Sequence, residues 1–214
     1  MSNVKQLQNI VFTAAVCAIT SITAQIKFNL GPIPYTMQNV GVILAGLLLP
    51  PLYAATSMIL YVFLIFIGLP LAAGFTGGPS IVLGYCGGYL FGFIISSFLM
   101  SLLTRWYLRY CTRSLDEINR KDFIVLLALS FIAILPTYLL GFIVFYHYAL
   151  PNTSLYLWSI KVTSWLGFKL HGIVALFIAS VLIFIPQDLF MDHVIAIIVA
   201  REIARIIKIR GGYI

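Results

Sequence analysis

Residues 37–70 read MQNVGVILAGLLLPPLYAATSMILYVFLIFIGLP, an apolar run that is broken only at Pro50-Pro51. Two adjacent prolines remove two amide donors and force a tight turn, so this run predicts two membrane helices joined back to back. Further apolar stretches lie around it, at about 8–30, 80–104, 122–149 and 187–207. The sequence therefore predicts an all-α integral membrane protein with six transmembrane helices, at roughly 20 residues for each span.

The composition excludes an ordinary soluble domain. Of the 214 residues, 62% are hydrophobic and 9% are charged, whereas soluble domains are about 45–50% apolar and about 25% charged. We expect a single transmembrane substrate-binding domain over residues 1–214. The net charge of +7 is attributed to membrane topology, and no nucleic-acid partner is expected.

The positions of the cations predict the orientation in the membrane. With six spans and both termini cytoplasmic, ten cations fall on the inner side: Lys5, Arg105, Arg109, Arg113, Arg120, Lys121, Arg201, Arg205, Lys208 and Arg210. Three remain on the outer side: Lys27, Lys161 and Lys169. This excess is what the positive-inside rule requires for a protein of the cell (inner) membrane.

An extra apolar element occupies residues 155–185. If it were a seventh span, the arginine-rich C-terminal segment would lie outside and the charge asymmetry would weaken. We therefore predict an outer-side or re-entrant element, followed by a last span that opens at Pro186-Gln187-Asp188.

Asp188 lies within an apolar stretch, between Phe184-Ile185-Pro186-Gln187 and Leu189-Phe190. An ionisable group at membrane depth is costly unless it faces protein or water, so it marks a substrate or ion site by default. A role as a helix cap is compatible with this hypothesis. Asp192 and His193 follow one turn later and leave a membrane-embedded enzyme as an alternative. No catalytic or metal-binding motif supports that alternative, and we expect no metal and no cofactor.

Three irregular segments converge on the predicted outer end of the bundle, at residues 31–39, 74–80 and 186–188. Non-helical backbone near membrane depth is tolerated where it is buried in protein or lines a cavity. Their polar residues lie among apolar and aromatic neighbours, which is typical of a binding site for a small, largely apolar solute. These polar residues are Thr36, Gln38, Asn39, Ser80 and Asp188.

Ala14 and Ala18 form a small-xxx-small pair in the first span. Small residues at this spacing permit close helix approach. The partner is either another helix of the bundle or a helix of a second protein.

The ordered motifs resemble those of the BioY family, the biotin-specific substrate-binding components of energy-coupling factor (ECF) transporters. The resemblance begins with Gly31-Pro32-Ile33-Pro34-Tyr35-Thr36-Met37-Gln38 and Leu44-Ala45-Gly46-Leu47-Leu48-Leu49. It continues through Gly68-Leu69-Pro70, Gly87-Gly88-Tyr89-Leu90-Phe91-Gly92-Phe93 and Phe184-Ile185-Pro186-Gln187-Asp188-Leu189. It covers nearly the whole chain apart from about 105–175.

The resemblance implies a high-affinity biotin-binding bundle in a vitamin uptake transporter, with a transmembrane coupling protein and two cytoplasmic ATPases as partners. Asp188 is expected to accept the ureido N–H groups, and Gln38 and Thr36 to fix the ring or its lid. Gly77, Gly78 and Tyr89 should shape the cavity. Ala14 and Ala18 should pack against the coupling protein. A stand-alone carrier, or one specific for another vitamin, is the alternative.

One departure affects the ligand's carboxylate. The family's Pro-x-Asp-x-x-Lys signature reads Pro186-Gln187-Asp188-Leu189-Phe190-Met191, so methionine replaces the lysine. Lys27, Lys161, Lys169 or backbone amides are the alternatives for this charge, and Lys169 is included among the predicted site residues. The further alternatives are that the tail is held less tightly or that the ligand lacks the charge.

Overall fold

A computed structural model of the chain describes residues 2–28 and 31–209. In chain order the elements are α1 (Ser2–Thr23), β1 (Lys27–Phe28), β2 (Tyr35–Thr36), α2 (Gln38–Leu48), α3 (Pro51–Phe66), α4 (Pro79–Val82), α5 (Gly87–Tyr110), a 3-10 turn (Leu115–Glu117), α6 (Arg120–Ala149), α7 (Thr153–Trp165) and a last helix (Gly172–Ile209). The helical prediction is confirmed. The short antiparallel hairpin β1–β2, which pairs Lys27 with Thr36, departs from the predicted all-α composition.

The last helix combines two kinds of helical turn. Its α-helical parts are Gly172–Phe177, Ile185–Gln187 and Val194–Ile209, and its π-helical parts are Ile178–Leu182 and Asp188–His193.

The Pro50-Pro51 break forms the predicted tight turn. α2 ends at Leu48 and α3 begins at Pro51, with Pro51 in the first helical turn, where its missing amide costs no hydrogen bond. Every residue of α2 from Asn39 to Leu48 is buried. α2 is thus the central helix of the bundle, which accounts for its apolar character on all sides.

Glycines on α5 bring it close to α6. A Cβ at Gly88 would overlap the backbone of Leu140, and a Cβ at Gly92 would overlap the backbone of Thr137. One turn further along, Ser96 Oγ and Thr137 Oγ1 share a 2.8 Å hydrogen bond. Small side chains therefore allow backbone contact here, as in other membrane helix pairs.

Four helices of the described residues are long and apolar enough to cross a membrane: α1, α5, α6 and the last helix. The chain is a multi-pass membrane protein. α2 and α3 are apolar but have 11 and 16 residues, and a bilayer core needs about 20 helical residues. Helix length therefore does not establish a count of six.

The region 155–185 divides into two parts. α7 is a separate helix that ends at Trp165, and the last helix already begins at Gly172. The prediction that this helix opens at Pro186 is therefore wrong. The chain accommodates the proline because the preceding turn is widened: the Ile183 amide bonds to the carbonyl of Ile178, five residues back.

The two ends of the bundle carry different features: the hairpin lies at one end, and ion pairs lie at the other. At one end the hairpin follows α1. At the other end, Lys208 Nζ lies 2.7 Å from Asp116 and 2.5 Å from Glu117, and Arg113 pairs with Asp122. Because α1 is about 33 Å long at 1.5 Å per residue, its first residues lie at the end that is rich in ion pairs.

Candidate functional site

A cavity of about 330 Å³ lies beneath the hairpin. Its walls come from the hairpin, the loop of residues 71–78 (the 71–78 loop), the 80–93 segment, α6 and the last helix. Six of the residues predicted at the site line it: Thr36, Gln38, Asn39, Ser80, Tyr89 and Asp188. The volume suits one small solute.

Asp188 is 4% exposed and lies in a π-helical part of the last helix. Tyr138, on α6, donates a 2.6 Å hydrogen bond from its hydroxyl to Asp188 Oδ2. The Asn39 side chain lies near this carboxylate. The Asp188 amide bonds to the carbonyl of Phe184, so the aspartate does not begin a helix and the capping alternative is wrong.

Asp192, on the last helix, lies beside the start of α2. The residue at the N-cap of α2, Met37, supplies no side-chain cap. The fully buried Asp192 carboxylate lies near the first-turn amides of Asn39 and Val40, and its Oδ1 accepts a 3.3 Å hydrogen bond from Gln187 Nε2. A carboxylate is favoured at the positive end of a helix, so the charge of Asp192 is well placed beside the turn that carries Gln38 and Asn39.

His193 makes a hydrogen bond within the core of the bundle. Its Nδ1 lies 2.8 Å from Ser130 Oγ, and the Ser130 hydroxyl already donates to the carbonyl of Leu127. Nδ1 is therefore the donor to Ser130, since a hydroxyl has one proton. Asp192 and His193 do not line the cavity, which separates them from a solute bound there.

Gln38 is held by a chain of hydrogen bonds. Thr36 Oγ1 donates to Gln38 Oε1 at 2.7 Å, and Gln38 Nε2 donates to the Tyr61 hydroxyl at 2.6 Å. Tyr61 in turn donates to the carbonyl of Leu71 at 3.2 Å. The network fixes two predicted site residues and ties the 71–78 loop to the cavity.

The hairpin is fastened over the cavity from two sides. Tyr35 stacks on Phe184, with ring centroids 4.2 Å apart, and its hydroxyl donates to the carbonyl of Ile183 at 2.7 Å. The Tyr85 hydroxyl donates to the carbonyl of Pro32 at 3.0 Å. The hairpin thus forms the roof of the site.

Tyr89 lies between α6 and the last helix. Its ring occupies the space beside Gly141, where a Cβ would overlap it. Its hydroxyl donates to the carbonyl of Ser180 at 2.5 Å. The glycine is what allows this aromatic wall of the cavity to form.

The other predicted site residues lie outside the cavity lining. Gly77 packs on the backbone of Leu69, and Gly78 adopts a positive φ of 102° before α4. These glycines set the path of the loop beside the site and do not face a solute. Lys169 is exposed in the segment between α7 and the last helix.

Several lining residues were not among the predicted site residues. The main ones are Tyr85, Cys86, Phe93, Tyr138 and Phe184, whereas Lys27, which also lines the cavity, was one of the alternatives for the ligand's carboxylate. Tyr138 carried a signal in the sequence, because a tyrosine in an apolar helix needs a partner for its hydroxyl. Its pairing with Asp188 depends on how α6 and the last helix pack.

Ala14 and Ala18 are both exposed on α1. Neighbouring exposed residues on this helix, Leu7, Val11 and Ile22, are apolar. The small-xxx-small pair therefore faces away from the bundle, which removes the alternative that it packs inside.

The chain is a multi-pass helical bundle with a cavity that has a polar floor and aromatic walls. These features are typical of membrane-embedded solute-binding proteins. Within this class, a sequence profile of the BioY family matches residues 1–209. The chain belongs to the BioY family.

Three relatives illustrate the similarity. A probable biotin transporter BioY of Pyrococcus horikoshii is 44% identical over 95 residues, which are 44% of this chain and 58% of that protein. The biotin transporter BioY of Thermotoga maritima is 39% identical over 97 residues, 42% of this chain and 57% of that protein. A probable biotin transporter BioY of Lysinibacillus sphaericus is 27% identical over 205 residues, 94% of this chain and 93% of that protein. The chain thus spans less than two thirds of the first two.

One solved structure shares the fold. The crystal structure of the S-component for biotin from an ECF-type ABC transporter superposes with a TM-score of 0.71 at 21% identity. The superposition covers 96% of this chain and 95% of that protein.

Proposed function

We propose that this chain is the high-affinity biotin-binding component of an ECF-type vitamin uptake transporter. The observation that carries the proposal is the Asp188 carboxylate at the cavity, held by Tyr138 and surrounded by apolar and aromatic walls. A ureido ring offers two N–H donors, and a carboxylate is the strongest acceptor for them. Thr36 and Gln38 fix the roof above the ring, and Tyr89 forms a wall.

A coupling protein and two cytoplasmic ATPases complete the proposed transporter. The sequence carries no ATP-binding motif, so energy for uptake must come from other subunits. The exposed Ala14 and Ala18 offer α1 a surface for close helix approach. We assign the coupling protein to this surface.

The proposed topology has six spans in the cell (inner) membrane with both termini cytoplasmic. α2 and α3 supply the two short spans, and the ion-paired end of the bundle faces the cytoplasm. Most of the cations lie towards this end, in accord with the positive-inside rule. The cavity then opens towards the outside, where uptake begins.

A direct titration tests the proposal. The detergent-purified chain should bind biotin with one-to-one stoichiometry in calorimetry, and other water-soluble vitamins should produce no heat. Binding of another vitamin in preference to biotin would favour the alternative specificity. Uptake of radiolabelled biotin in cells that lack the ATPases would favour a stand-alone carrier.

The enzyme alternative has no support from the geometry. Asp192 bonds to Gln187 and His193 bonds to Ser130, and neither residue lines the cavity. The BioY family is a family of transporter components.

A further inference from the structure

Lys27 is the one cation among the cavity-lining residues that the structure describes. It lies in β1, directly opposite Thr36 of β2, which also lines the cavity. Its side chain reaches the 71–78 loop, because a Cβ at Gly74 would overlap its ammonium group. The ammonium is therefore placed at the mouth, between the roof and this loop.

The ammonium of Lys27 has no carboxylate partner within residues 2–28 and 31–209. The chain has six acidic residues, and four of them belong to the opposite end of the bundle: Asp116, Glu117, Asp122 and Glu202. The other two, Asp188 and Asp192, accept hydrogen bonds from Tyr138 and from Gln187. An anionic ligand at the cavity mouth would therefore pair with Lys27 without displacing a carboxylate of the described residues.

The other outer-side cations are placed elsewhere. Lys161 Nζ lies 5.3 Å from the centroid of the Trp165 ring on α7. Lys169 is exposed in the segment before the last helix, and neither residue lines the cavity. Met191, at the position of the family's lysine, is 41% exposed and is also outside the lining.

We infer that Lys27 binds the carboxylate of the ligand, and thereby sets the direction in which the ligand enters. This inference rests on the proposed function. The ligand's N–H groups meet Asp188 at the buried end of the cavity, and its acid tail ends beside the ammonium at the mouth. Opposite charges at the two ends of one cavity favour a solute with a neutral N–H-donating head and an anionic tail. Lys27 replaces Lys169 as the residue that we assign to this charge.

A comparison of two ligands and four proteins tests the inference. Biotin carries the carboxylate, and biotinamide has the same ring system and chain length without the charge. We expect Lys27→Met to weaken biotin binding about fivefold to tenfold, between the small effect of an exposed ion pair and the larger effect of a buried hydrogen bond to a charged group. Its affinity for biotinamide should not change. Lys27→Arg should restore biotin binding, and Lys169→Met, the matched control, should bind both ligands as the unchanged chain does.

The outcomes separate the two proposals. If the unchanged chain binds neither ligand, the proposed function is wrong. If it binds biotin and Lys27→Met loses the same factor for both ligands, or nothing for either, the role of Lys27 is wrong while the proposed function stands. If only Lys169→Met weakens biotin binding, Lys169 is the residue that binds the carboxylate of the ligand.

Discussion

Tyr138 on α6 and Asp188 on the last helix, 50 residues apart in sequence, share a 2.6 Å hydrogen bond at the cavity. Both side chains are buried, at 6% and 4% exposure. The bond joins the two helices at the site itself and fixes one oxygen of the carboxylate. Asp188 is therefore oriented before a ligand arrives, which lowers the entropy cost of binding.

Removal of the Asp188 charge should weaken biotin binding. In Asp188→Asn the size of the side chain is kept, but the charged acceptor for the ureido N–H groups is lost. We expect a loss of about 1.5–3 kcal/mol, the range for a hydrogen bond to a charged group. Calorimetry on the purified variant measures it. Asp116→Asn, at the opposite end of the bundle, is the control and should bind normally; equal affinity in both variants would remove Asp188 from the site.

Loss of the Tyr138 hydroxyl should have a smaller effect on affinity. Tyr138→Phe keeps the ring in the cavity wall and removes the donor that positions Asp188. We expect biotin binding to weaken by about 0.5–1.5 kcal/mol, the range for one neutral-donor hydrogen bond. The double variant with Asp188→Asn should lose less than the sum of the two single losses, because the two side chains act through one contact. Additive losses would show that Tyr138 acts independently.

Bound biotin should protect Cys86 from thiol reagents. Cys86 lines the cavity, and burial raises the pKa of its thiol to about 12. The thiolate is the reactive form, so the rate of labelling by a small methanethiosulfonate should rise about tenfold for each pH unit between pH 7 and 9. Saturating biotin should slow labelling at every pH.

The labelling is measured in the Cys111→Ser variant, because this substitution removes the other partly exposed thiol. The third cysteine, Cys17, is buried. Mass spectrometry identifies the labelled cysteine. A labelling rate at Cys86 that biotin leaves unchanged would place the ligand elsewhere.

A bulky residue on the exposed face of α1 should separate assembly from ligand binding. Ala14→Trp places a large ring where we propose close contact with the coupling protein. We expect the tagged variant to lose co-purification of the coupling protein and the ATPases, and to keep its biotin affinity, because Ala14 is exposed and does not line the cavity. Ala128→Trp, at an exposed alanine of α6, should co-purify normally. Persistent assembly of the Ala14→Trp variant would contradict the proposed docking surface.

Sequence patterns were sufficient for the helical membrane class and for the polar end of the bundle, but not for the number of spans or the start of the last helix. The 37–70 run predicted two helices with a turn at Pro50-Pro51, and α2 and α3 meet at that point. Apolar composition and proline act locally, so they can be read without knowledge of neighbouring helices. The prediction for Pro186 was wrong because a π-helical turn earlier in the same helix accommodates the missing amide.

The amino-acid sequence by itself determined that this chain is a helical membrane protein of the BioY family and that Asp188 marks a polar position within it. Hydrophobicity and local backbone chemistry are properties of each segment alone, and this made those conclusions accessible. The tertiary structure alone decided that Tyr138 holds Asp188, that Asp192 lies beside the start of α2, and that Lys27 lies at the cavity while Lys169 does not. These contacts join segments far apart in sequence, and they depend on helix packing that no local pattern specifies.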